Sequence, residues 1–150
     1  MEKKEKILVP VHAMLRSDKA LKKAREYAEE RSAEMYLLHI IDLRLLDVVV
    51  TRYGFMDREN ELYEAMEENL IKSQQDFAEK YLEEIKSQEG NINVNLRKGD
   101  PAKEIVKYAE EIGATIIIME RLRKEATRLM FGSVLDEVLK TAPCHVLVLK

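Results

Sequence analysis

Short apolar runs and longer stretches of mixed residues alternate along this chain, and each kind has its own period. Lys6 to His12 and Met35 to Asp42 are apolar at nearly every position and rich in β-formers, the pattern of a parallel strand buried on both faces. Between them Ala20, Leu21, Ala24, Tyr27 and Ala28 recur at spacings of three and four against Lys22, Lys23, Arg25 and Glu26. That spacing predicts an amphipathic helix with Ser17 as its N-cap. From Leu43 to Asn60 no period lasts. An apolar start at Leu45 to Val50 gives way to Tyr53, Gly54 and Phe55, which predicts an excursion, partly helical, serving either as a flap over a crevice or as part of a partner surface. Glu61 to Gln88 predicts a long helix, with Leu62, Met66, Leu70, Phe77, Ala78, Tyr81, Leu82 and Ile85 as its apolar positions and Gly90 as its stop.

Ile92, Val94 and Leu96 then alternate with Asn93, Asn95 and Arg97, a half-exposed strand suited to a sheet edge. Asp100 before Pro101 is an N-cap followed by a proline in the first helical turn. Ile105, Val106, Ala109 and Ile112 form the buried side of that helix, and Gly113 stops it. Ala114 to Met119 is a fourth strand. Ser133 is expected to cap a last helix containing Val134, Val138 and Leu139, and after Pro143 a fifth strand covers Cys144 to Leu149. Strands alternating with helices imply right-handed crossovers, a parallel sheet and helices on both of its faces, an α/β three-layer sandwich.

Composition narrows the picture. A length of 150 residues without a Pro/Gly/Ser-rich stretch or abrupt composition change predicts one domain over residues 1–150. Hydrophobic residues make up 46% of the chain, enough for a core. The 35% of charged residues nearly cancel to a net charge of −3, so the surface is solvated and of mixed sign, which disfavours nucleic acid as a partner. The charged start Met1-Glu-Lys-Lys-Glu-Lys6 and the lack of any apolar run near the ~18 residues of a membrane span predict a cytoplasmic protein with no membrane partner. A single cysteine, Cys144, cannot form an intrachain disulfide and agrees with a reducing compartment.

Four segments together resemble the universal stress protein family. They are Ile7-Leu-Val-Pro-Val11, Leu37-Leu-His-Ile-Ile-Asp42, Lys98-Gly-Asp-Pro-Ala-Lys-Glu-Ile-Val106 and the C-terminal third, with Ala114-Thr-Ile-Ile-Ile-Met119, Phe131-Gly132-Ser133-Val134 and Ala142-Pro143-Cys144-His145. The resemblance implies a Rossmann-like fold of the adenine nucleotide alpha hydrolase type, with a five-stranded parallel sheet of order 3-2-1-4-5. It also implies a homodimer formed through the last strand, Cys144 to Leu149. In such a sheet ligands bind beyond the carboxyl ends of the strands where the winding reverses, between strands one and four. The candidate site residues are therefore His12, Met119, Glu120, Arg121, Arg123, Gly132 and Ser133, the last two expected at a helix start with free N–H groups for an anion.

The chain departs from the family's ATP-binding pattern at that crevice. ATP-binding members carry an aspartate just after the first strand, where this chain has His12. They also carry a strand ending in Met-Gly, a GxxG loop, nine residues, and Gly-Ser or Gly-Thr. Aligned on Met119, Glu120 and Arg123 replace the loop glycines; aligned on Gly132, Met119 and Leu122 do. A Cβ at either place obstructs positive φ and close backbone approach to a phosphate. Glu120 adds a negative charge worth ~1 kcal/mol against a phosphate in water and several when partly desolvated. Arg121, Arg123, Lys124 and Arg128, four cations within eight residues, can instead bind a small anion, or simply form a solvated loop that pairs with Glu120 and Glu125. If Glu120 points into the crevice ATP is disfavoured; if it pairs outward with Arg123 the cradle stays open.

Other chemistry-bearing residues have plainer roles. His39 and His145 lack a second ligand at metal spacing and are expected to be packed or surface histidines, and no paired carboxylate is evident near His12 in sequence, so neither a metal site nor a catalytic residue is expected. Cys144 is expected to be an inert thiol. The expected function is a dimeric stress-response binding or regulatory module without a cofactor and without catalysis. The alternative is an ATP- or nucleotide-binding protein with a modified phosphate loop and slow hydrolysis.

Overall fold

Five runs of β-formers become five parallel strands: β1 (Lys6–His12), β2 (Glu34–Asp42), β3 (Ile92–Gly99), β4 (Ile116–Glu120) and β5 (His145–Leu149). They form one sheet of order β3-β2-β1-β4-β5, as the family resemblance implies. The computed structural model describes residues 4–44, 61–89, 91–121 and 125–150, with the backbone alone at Leu62, Glu89 and residues 125–132. Most of the predicted excursion over Leu43 to Asn60, and the stop at Gly90, lie outside the described residues.

Because successive side chains of a strand point to opposite faces, the two-face apolar runs feed two separate cores. On one face Leu8, Leu38, Ile40, Ile117 and Met119 pack against α3 (Pro101–Ile112) and α4 (Glu125–Thr141), which contribute Ile105, Tyr108, Ala109, Val134, Leu135 and Val138. On the other face Ile7, Val9, Val11, Leu37 and Ile118 meet Leu21 and Ala24 of α1 (Asp18–Arg31) and Tyr81 and Ile85 of α2 (Glu61–Glu89). Each large aliphatic side chain buried in this way is worth about 1.5–3 kcal/mol of transfer free energy. Among the described residues no helix is long and apolar enough to cross a membrane.

Helix ends follow local chemistry in α3. The Asp100 carboxylate accepts the Lys103 N–H at 3.2 Å, Pro101 occupies the first turn, and Gly113 closes the helix at φ 70° with its N–H on the Ala109 and Glu110 carbonyls. One predicted end holds in position without its side-chain bond, and one is corrected. Ser17 stands at the N-cap position of α1, but its hydroxyl makes no capping bond. Ser133 does not start α4, which begins at Glu125 and runs through Gly132 and Ser133 without interruption. The run Glu-Ala-Thr-Arg-Leu-Met-Phe before Gly132 is rich in helix formers, and one interior glycine costs only about 1 kcal/mol, too little to stop a helix already formed.

Candidate functional site

The crevice at the carboxyl ends of β1 and β4 is built by the sheet order, since these neighbouring strands send their crossovers to opposite sides. After His12 the chain turns sharply. Ala13 takes a left-handed φ of 53°, its N–H bonds the Ile40 carbonyl at 2.8 Å, and the Leu15 N–H bonds the His12 carbonyl at 3.2 Å. A non-glycine residue in that region is uncommon, and here the backbone bonds on both sides hold it there.

His12 is buried and pairs with a carboxylate that lies thirty residues away. Its Nε2 contacts Oδ2 of Asp42, at the end of β2, and both side chains are shut off from solvent. Asp42 is also gripped by Arg44, whose backbone N–H and Nε donate to Oδ1 at 2.9 and 3.1 Å while a terminal nitrogen donates to Oδ2 at 3.0 Å. Burial pushes the Asp42 carboxyl upward, but the hydrogen bonds from His12 and Arg44 outweigh it and hold the group at about 2. An ionised carboxylate only accepts hydrogen bonds, so Nε2 of His12 carries the proton it shares with Asp42.

Gln74 secures the same strand end from the other side. Its Oε1 accepts the Asp42 N–H at 2.8 Å and its Nε2 donates to the Asp42 carbonyl at 3.2 Å, so a side-chain amide on α2 satisfies both backbone groups of one β2 residue. Asp42 is thus the junction of three elements: β1 through His12, the start of the following segment through Arg44, and α2 through Gln74. No paired carboxylate lies near His12 in sequence, and the fold supplies one from thirty residues away. The sequence carried a faint sign of Gln74, four residues after Leu70 and three before Phe77, a polar residue on an apolar helical stripe. Asp42 and Arg44 gave no such sign, because the pairing with His12 exists only once β1 and β2 lie side by side.

Glu120 takes neither orientation foreseen for it. Its Oε1 accepts the N–H of Ala20, in the first turn of α1, at 2.6 Å. The carboxylate supplies from β4 the cap that Ser17 does not, and it places negative charge at the positive end of the helix dipole. Arg121 is exposed, with its N–H on the Leu149 carbonyl at 2.6 Å, continuing the pairing of β4 with β5. Met119 is buried in the core under α3 and α4 rather than lying on the lip of the crevice. Gly132 and Ser133 lie two turns inside α4, where backbone N–H groups belong to the helical ladder, so the expected free-N–H anion site is absent at that place. Arg123 and Lys124 lie outside the described residues, as does the Arg128 side chain.

His39 is fully buried on the α2 side of the sheet, with both ring nitrogens lacking a hydrogen-bond partner among the described residues. Burial, with the neighbouring His12 adding to it, lowers its pKa to about 4, so the ring is neutral near pH 7. Among the described residues no group of three or more His, Cys, Asp or Glu is placed to hold a metal ion. At the opposite, amino end of the sheet a hollow of about 720 Å3 is lined by Glu5, Tyr27, Arg31, Thr115, Cys144 and His145. Burial raises the Cys144 thiol, which keeps it protonated and unreactive.

The sheet order and these strand-end residues can be set beside known proteins. A family model described as the universal stress protein family matches residues 4–150. The chain belongs to the universal stress protein family. Its curated relatives include universal stress protein MJ0531 of Methanocaldococcus jannaschii, 31% identical over 97% of this chain and 82% of that protein. Universal stress protein MJ0577 of the same organism is 32% identical over 97% of this chain and 94% of that protein. The solved structure of MJ0577 superposes with a TM-score of 0.73 at 28% identity, covering 97% of this chain and 95% of the other. A universal stress protein from Archaeoglobus fulgidus, solved in complex with dAMP, shares the fold with a TM-score of 0.52 at 20% identity, covering 97% and 98% of the two chains.

Proposed function

We propose that this member of the universal stress protein family is a dimeric binding or regulatory module that works without ATP and without catalysis. The observation that carries the reading is the Glu120 carboxylate, which ends β4 beside the crevice and is held by the Ala20 N–H in the first turn of α1. A triphosphate approaching that strand end meets a fixed negative charge nearby, and the Ala20 N–H is already taken. The His12–Asp42–Arg44 cluster supports the same reading, since His12, at the position where nucleotide-binding members carry an aspartate, spends its Nε2 on an internal partner. No nucleophile accompanies the buried histidine–carboxylate pair among the described residues, and neither side chain reaches solvent, so the pair organises the strand ends rather than a reaction.

The rival reading, a nucleotide-binding protein with a modified phosphate loop, draws support from the dAMP complex of the Archaeoglobus fulgidus protein of this fold. One experiment separates the two. Thermal unfolding is followed with and without millimolar ATP and magnesium, and with dAMP in parallel. A ligand present at its own dissociation constant adds only about 0.4 kcal/mol, so the proposal expects a shift near zero. A rise of many degrees, or nucleotide carried through purification, establishes the rival.

A further inference from the structure

Among the described residues, His39 is a fully buried ionisable group whose surroundings offer no acceptor to its charged form. It sits in the middle of β2 with the apolar Val11 of β1 and Leu96 of β3 beside it in register. The ring of Phe77, on α2, lies above it at 6.0 Å between centroids and 58° between planes. The nearest charged and titratable groups among the described residues hold other partners. His12 on β1 and Asp42 at the end of β2 hold one another. Tyr81 on α2 accepts the Ser17 N–H and donates to Asp18 at the start of α1. Arg16, stacked on the Tyr81 ring, binds Glu84 of α2. On α2 itself, Gln74 is occupied with the Asp42 backbone.

We propose that His39 is an acid-operated release for α2: a proton on this ring places a cation with no acceptor between β2 and the helix, and the helix lifts from the sheet while the other face stays packed. The cost falls on this interface because His39 touches α2 through an aromatic ring and because α3 and α4 pack on the opposite face. The direction in pH follows from linkage. The packed ring titrates at about 4 against an ordinary value of 6.5, so the packed state is fully favoured above 6.5 and loses ground as pH falls from 6.5 towards 4. Over that window the equilibrium between packed and released α2 moves by roughly a hundredfold. Release uncovers the apolar side chains of Leu37, Tyr81 and Ile85, which makes acid stress visible as a new sticky surface.

Hydrogen exchange resolved along the chain, corrected for the intrinsic pH dependence of exchange, tests this. Between pH 7 and pH 4.5 the amides of residues 74–85 in the intact protein are expected to lose tenfold or more in protection while those of α3 keep theirs. His39→Leu, apolar and of similar size, is expected to keep α2 protected across the same range, and His145→Ala, a change at an exposed histidine, is expected to behave like the unaltered chain. Equal loss at α2 in the unaltered chain and in His39→Leu overturns the proposal. So does simultaneous loss at α2 and α3. If His39→Leu does not fold, the ring resonances of His39 in the unaltered chain decide: α2 protection must fall at the pH where that ring titrates, and an α2 that stays protected through the titration overturns the proposal.

Discussion

Asp42 carries more of this molecule than its place at a strand end suggests, because it is buried, ionised and shared by His12 and Arg44 through the side chain and by Gln74 through the backbone. Its folded pKa of about 2 lies below the ordinary 3.8, so the unfolded chain takes up the proton first as acid is added. The stabilisation is complete above pH 3.8 and disappears as pH falls through 2, and its size is about 2 kcal/mol. Asp42→Asn is therefore expected to lower urea-unfolding stability at pH 7 by about 3 kcal/mol, since His12 and Arg44 lose the charge they face. The difference from the unaltered chain should narrow towards pH 2, where that chain has lost the same charge; a constant difference contradicts the assignment. Glu120 acts on a smaller scale. Glu120→Ala removes the carboxylate on the Ala20 N–H and is expected to cost about 1 kcal/mol, read by the same denaturation, while a change in Ser17 costs less because its hydroxyl makes no cap. Glu120 was a candidate in the sequence and Asp42 only the end of a strand, and the partners of neither were visible. A cap supplied by a strand a hundred residues away and a carboxylate reaching β1 from β2 are tertiary facts with no local signature.

At the scale of elements, strands and the first three helices were legible because each has a period and a punctuating residue. β1 was read with its observed ends, α3 is framed by Asp100, Pro101 and Gly113 as its sequence says, and β3 is the polar edge that its alternation predicted. The start of α4 was misread for a physical reason. Gly132-Ser133 looks like a loop closed by a cap, yet both residues have helical neighbours on the two sides, and tertiary packing of Val134, Leu135 and Val138 on the sheet holds the helix through the glycine. The attachment of α2 to the sheet was legible as an apolar stripe, and its polar clasp only as the faint sign of Gln74 on that stripe. Gln74→Leu keeps the volume but leaves the Asp42 N–H and carbonyl buried without partners, and a loss of about 1–3 kcal/mol in denaturant midpoint analysis is expected. The exposed Arg16–Glu84 pair also ties α2 to the start of α1, but Glu84→Gln is expected to leave stability nearly unchanged because water screens that contact. If the two variants cost the same, the clasp does not have the role its geometry gives it.

For the molecule as a whole, the open question is what covers the β5 edge. β3, at the other edge of the sheet, is protected by asparagine and charged side chains, whereas β5 presents Val146, Leu147, Val148 and Leu149, all partly buried, with no strand beside them but β4 among the described residues. The Leu149 carbonyl points to β4, where it accepts the Arg121 N–H, and the N–H and carbonyl of one residue lie on the same side of a parallel strand. Alternation then turns the backbone groups of Val146 and Val148 outward. An edge with two outward-facing residues and an apolar lining is suited to a second copy of the chain, because an isologous interface pairs the same strand with itself. Light scattering is expected to report a dimer. Val148→Pro removes one outward N–H while leaving the ladder to β4 intact, and a proline is tolerated at such an edge position, so this variant is expected to be a folded monomer by the same measurement and by circular dichroism. A monomeric parent at high concentration, or a variant that remains dimeric, places the interface elsewhere. The link to function is then direct. If dimer and monomer alike fail to respond to ATP, the crevice and the edge are independent, and any regulation by self-association is carried by β5 rather than by a nucleotide.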